Sequence, residues 1–156
     1  MAILDKLTEF GDAFDITESA GTYNLTNQID TGSVVRDLGA GEPLYLIISV
    51  ATGIKVASST GTLQFKLVSD ASASIATDGT ASVHFATAEF ATSTTAIAAG
   101  TVLACVPLPM AGATAYERYL GVQAVVGTTA ISEGAVDAYL SPTPVGGYKS
   151  YPDATN

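Results

Sequence analysis

A strict alternation of inward and outward residues, with a period of two, recurs along this chain and leaves it little choice but an antiparallel β fold. "LQFKLVS" sets Leu63, Phe65 and Leu67 against Gln64, Lys66 and Val68, the pattern of a strand with one face buried. "YLGVQAVV" repeats it with Leu120, Val122, Ala124 and Val126, and "AVDAYLS" with Val136, Ala138 and Leu140 against Asp137 and Tyr139. "ASVHFAT" places Val83 and Phe85 on one face and His84 on the other, and "TYNLTNQI" gathers Tyr23, Leu25 and Ile29 on one side. "LYLIISVA" is apolar on both faces, as expected of a central strand covered twice. "TVLACVPLP" is similar, but Pro107 and Pro109 end its ladder or put that end at an edge.

The turn signals "TGS", "GAGEP", "SSTG", "TDGT", "AAGT", "VGTT" and "SEG" separate these seven runs. Short strands at such spacing predict an all-β sandwich or barrel. Only "DKLTEF" and "TAEFATS" suit a helical turn, and neither carries helix-length periodicity. The 156 residues suit one domain, with a sandwich over residues 1–140, its first 22 residues acidic, and a different tail over 141–156. That tail holds Pro142, Pro144, Pro152 and the Gly146–Gly147 pair, the composition of an extended arm. It reads either as a frayed terminus or as a docked arm, since Tyr148 and Tyr151 are amphipathic aromatics of the kind favoured at interfaces.

Charge narrows the function classes. The net charge of −9 opposes binding to nucleic acid or to an acidic membrane surface. Eight acids precede Pro43 against Lys6 and Arg36, whereas residues 43–116 carry only Asp70, Asp78, Glu89, Lys55 and Lys66. The outward positions of that middle are therefore mostly Ser, Thr and Ala, a surface that loses little on being desolvated against another protein. No run approaches the roughly 18 apolar residues of a membrane span, and "MAILDKLTEFGDAFD" has acids where a signal peptide is basic. The expectation is a soluble chain that is not secreted by the usual route.

Reactive chemistry finds no support in the motifs. "GAGEP" matches neither glycine-rich phosphate fingerprint, Pro43 removes a backbone donor, and an apolar run follows, so it reads as a turn into a core strand. The single histidine, His84, excludes a multi-imidazole metal site. Asp12, Asp15 and Glu18 lack the spacing of a calcium loop. No G-x-S-x-G elbow supplies a nucleophile, and His84 has no evident serine partner. Cys105 lies in an apolar run without a basic neighbour and reads as a buried, inert thiol. The expectation is a non-enzyme with no catalytic, cofactor or metal residues. Arg36 and Arg118, the two arginines, are candidate interface anchors or ordinary strand-edge ion pairs.

The order "FGDAFDIT", "YNLTNQIDTGS", "RDLGAGEPLYLIISV", "LQFKLVSD", "AAGTVLACVPLP", "ERYLGVQAVVGTT" and "GAVDAYLS" resembles the capsid cement, or decoration, proteins of tailed bacteriophages, of the type seen in a Bordetella phage. The resemblance runs from about Phe10 to Leu140. It implies a jelly-roll-like antiparallel sandwich of about seven to eight strands on the outside of a virion. It also implies a major capsid protein as partner and a symmetric homo-oligomer, with a dimer favoured over a trimer. Arg36, Arg118, Tyr148 and Tyr151 are then the candidate protein-interface residues. The competing class is a β-sandwich that binds carbohydrate or a receptor, which calls for aromatics and Asp or Asn clustered in one cleft.

Overall fold

The alternating runs become strands in a computed structural model that describes residues 6–32, 43–110 and 114–145. A 3-10 turn at Lys6–Thr8 precedes β1 (Glu9–Asp15), β2 (Gly21–Asn24), β3 (Ile29–Asp30), β4 (Tyr45–Val56), β5 (Gly61–Asp70) and β6 (Ser82–Ala86). β7 (Phe90–Thr92), β8 (Val102–Pro107), β9 (Tyr119–Gly127) and β10 (Ile131–Ser141) follow, with no α-helix among the described residues. "DKLTEF" does contain a helical turn, but "TAEFATS" does not. Phe90–Thr92 is held extended by pairing with Leu63, Thr62 and Gly61 of β5.

Sheet A has the order β1-β10-β4-β8. Sheet B has the order β2-β9-β5-β6, with β3 also on β9 and β7 also on β5. Every pairing is antiparallel. Since β2 and β3 share one position, and β6 and β7 another, ten segments fill eight positions of a jelly roll. The expected sandwich of seven to eight strands is therefore what forms. The extra segments arise where "TYNLTNQI" breaks after Asn24 and where the chain leaves β5 between Ala86 and Phe90.

The facing inner surfaces form one core. Leu46, Ile48 and Val50 of β4 meet Leu63, Phe65 and Leu67 of β5, Leu120, Val122, Ala124 and Val126 of β9, and Val136, Ala138 and Leu140 of β10. Each large aliphatic or aromatic side chain buried there contributes about 1.5–3 kcal/mol. β1 adds Phe10, fully buried.

Two departures from simple alternation shape the surface. The β5–β6 ladder pairs Leu67 with Phe85 but Val68 with Val83, so His84 is an extra, bulged residue. Phe85 packs on the core while Val83 is exposed. The reading that put those two on one face is thus corrected, because a bulge shifts the alternation by one residue. Second, the segment after Asp70 folds back over the outer face of sheet B. Ile75 and Ala81 cluster there with Val68 and Tyr119. A Cβ on Gly121 would collide with Ile75 Cδ1, so glycine makes the notch that Ile75 fills. Amides complete the cover: Gln123 Nε2 donates to Asn24 Oδ1 (2.9 Å) and to Ala76 O (2.8 Å), and Asn24 Nδ2 donates to Ile75 O (2.7 Å).

The arm from residue 146 onward lies outside the described residues, as does most of "GAGEP". Pro43 of that turn stands two residues before β4.

Candidate interface surface

Strand register defines one end of the sandwich. Tyr45 pairs with both Pro107 and Ser141, and Glu9 pairs with Tyr139. In sheet B, Tyr119 pairs with Asp70 and with Asp30. The β8–β9 connection bridges the two sheets at this end. Three large exposed hydrophobic residues flank these strand ends: Leu7 before β1 (78% exposed), Met110 after β8 (68%) and Val145 after β10 (48%). Solvated apolar side chains gathered at one end are what a protein-contact surface needs.

Arg118 stands at the same end. Its Nε donates to Asp30 Oδ1 at 2.8 Å and its Nη2 to Asp30 Oδ2 at 2.9 Å. Asp30 Oδ1 also accepts the Gly32 N–H at 2.9 Å. The Arg118 hydrogen bond foremost, and then that of Gly32, hold the Asp30 carboxyl at about 2, well below its usual range. The same partner raises the guanidinium pKa. The guanidinium lies 5.0 Å from the centre of the Tyr119 ring, within cation–π range. Thr31 donates both its N–H (2.9 Å) and its hydroxyl (2.8 Å) to Arg118 O. Arg118 is thus held in place by its neighbours while half of its side chain faces solvent.

The preceding residues anchor this platform to the core. Tyr116, 1% exposed, donates its hydroxyl to Pro109 O at 2.6 Å and stacks on His84 with ring centres 4.0 Å apart. The Glu117 N–H donates to Ser69 Oγ (3.0 Å), Ser82 Oγ donates to Glu117 Oε1 (2.7 Å), and Ser69 Oγ lies 2.7 Å from His84 Nε2. The bulge therefore gives His84 the serine partner that its sequence neighbours did not suggest. Ser69 Oγ accepts the Glu117 N–H and keeps its own proton and a second lone pair for His84 Nε2, so the tautomer of His84 sets which of the two donates. Burial lowers the His84 pKa, against a smaller opposing pull from Glu117. A fully buried serine with both bonds committed has no free path to a substrate, so the trio reads as a clamp on the β8–β9 connection.

The other candidate residues fall as follows. Arg36, Tyr148 and Tyr151 lie outside the described residues. Cys105 is half-buried on the outer face of sheet A, opposite Ile47, and not in the core. Asp15 is occupied by the Thr17 N–H and hydroxyl, at 2.8 and 2.6 Å, and those bonds lower its pKa. Among the described residues no three His, Cys, Asp or Glu side chains converge in a way that could hold a metal ion, and no helix is long and apolar enough to cross a membrane.

The chain matches the family described as Bbp16 over residues 10–140, the span from the first core strand to the last. It belongs to that family, a Bordetella phage protein family. No curated protein matches it significantly.

Proposed function

We propose that this Bbp16-family chain is a capsid cement protein, a structural virion component that binds the outer surface of an assembled phage capsid across neighbouring subunits. The family match over the whole sandwich carries the reading. The jelly-roll order of the strands and the apolar end around Arg118 support it. Its partners are the major capsid protein and further copies of itself, as a symmetric oligomer with a dimer favoured over a trimer, and neither nucleic acid nor membrane. The role is non-catalytic and needs no cofactor.

The mechanism is thermodynamic linkage. A ligand that binds only the assembled shell stabilises that state, by about 2.7 kcal/mol per site when present at 100 times its Kd. Symmetry repeats each modest contact many times over. Arg118 suits an anchoring role because its fork is preorganised by Asp30 and Tyr119, so less side-chain freedom is lost on contact.

The test is sedimentation of the purified chain with intact capsids and with free capsid subunits. Binding to particles alone, with a raised temperature of capsid rupture, is the expected result. Equal rupture temperatures with and without the chain would overturn the proposal.

A further inference from the structure

The two sheets present unlike outer faces. Sheet B is covered by the chain's own Ile75 segment and by its amide bonds. On sheet A, two cavities follow the seam between β1 and β10. One, of about 180 Å³, lies among Glu9, Asp12, Ser49, Asp137 and Tyr139. The other, of about 370 Å³, lies between Asp15 and Glu133 over Thr52, Gly134 and Ala135. They adjoin at Ala13, whose N–H donates to Asp137 Oδ1 at 2.7 Å and whose φ of 45° breaks the strand's regular path.

The two cavities lie end to end on either side of the Ala13–Asp137 bond, as one line along β10 from Glu133 to Tyr139. Six steps of about 3.3 Å make it about 20 Å long, enough for roughly six residues of an extended chain. Between its carboxylates the lining is of small residues, among them Ser49, Thr52, Ser132 and Ala135. Five carboxylates line it, and Lys55 offsets only Glu133, at 2.6 Å. Next to it, on the same outer face, lie the half-buried Tyr45 and Cys105, with Ile47 buried between Tyr139 and Cys105 as their strand neighbour. A nucleic acid backbone is repelled by such a lining.

We infer that the outer face of sheet A is a docking groove for an extended segment of a partner protein bearing lysine or arginine on alternate residues. Alternate residues of an extended chain face the same side about 6.6 Å apart, so successive cations reach Glu9 and Asp12, then Asp137, then Asp15 and Glu133. Charge complementarity selects this occupant, and the apolar rim by Tyr45 and Tyr139 receives its aliphatic stems. The inference rests on the reading that the chain works by attachment to a shell, and it names the face that makes the attachment.

Two measurements separate that reading from the groove. A synthetic Lys-Ala-Lys-Ala-Lys-Ala peptide titrated into the free chain at low salt should shift the amide resonances of Ala13, Ser49, Asp137 and Tyr139. E9K/D12K should weaken this binding about tenfold or more, while D78K/E89K, with the same change in net charge, should leave the shifts at these four sites in place. Shifts spread evenly over the surface, or equal loss in both variants, would overturn the groove. In sedimentation with intact capsids, wild type and D78K/E89K should bind and E9K/D12K should not. A wild type that fails to bind overturns the shell reading, and the peptide titration still decides the groove. Binding by all three overturns the groove alone.

Discussion

Arg118 grips Asp30 through two parallel hydrogen bonds, and the residues they join stand 88 positions apart in the chain. This bidentate pair ties the start of β9 to the end of β3 at the apolar end of the sandwich. Asp30 has its pKa lowered to about 2. A carboxylate depressed in the folded state contributes stability that is fully present above its unfolded pKa and is lost as the pH falls through the folded one. Thermal melts of wild type and D30N should therefore differ by a small, constant amount from neutral pH down to about pH 4. The two should converge as the pH falls towards 2. A gap that widens below pH 4 would contradict the pairing.

His84 yields a second pH dependence. Its pKa is lowered by burial, so the folded state binds fewer protons than the unfolded chain near pH 6. Stability is then fully present above the unfolded value of about 6.5 and is lost as the pH drops through the lower folded value. Melting temperatures from pH 8 to pH 5 should fall for wild type and stay flatter for H84Q, whose amide does not titrate and can either donate to or accept from Ser69 Oγ.

Ser69→Ala removes the acceptor of the Glu117 N–H and the partner of His84 together. Leaving such buried groups unpaired costs about 1–3 kcal/mol. Chemical denaturation should show that loss without a change of slope. Tyr116→Phe, which keeps the ring and removes the hydroxyl that donates to Pro109 O, should cost less, about 0.5–1.5 kcal/mol.

Ile75→Ala empties the notch over Gly121 and should cost about 2–4 kcal/mol if the cover belongs to the cooperative fold. Amide exchange across residues 71–80 should speed up. Asp70→Ala, which removes the acceptor of the Ser72 and Ala76 N–H groups, should do the same with a smaller loss of stability. Unchanged exchange in both variants would mean that the segment is held by other contacts.

The sandwich was legible because alternation over β5, β9 and β10 is an arithmetic property of the sequence, and the core residues it selects are those that meet. His84 was misplaced because counting by twos assumes an unbroken ladder, and the bulge is set by pairing with β5. The notch at Gly121 has no local signal in the sequence because it depends on Ile75, which arrives from another segment. Of the interface residues, Arg118 was recognisable as a guanidinium, but its commitment to Asp30 was not, since no local pattern joins positions 88 residues apart. The acidic groove stayed hidden for the same reason: β1 and β10 meet only in the fold.

The jelly-roll winding sets Lys6 and Val145 at the same pole, beside Leu7 and Met110, while the solvent-facing hairpin tip at residues 57–60 caps the opposite pole. Cargo grafted into that hairpin would project away from whatever the apolar pole grips. A peptide epitope spliced between Ser58 and Ser59 should thus be carried outward in a repeating array without disturbing the apolar pole.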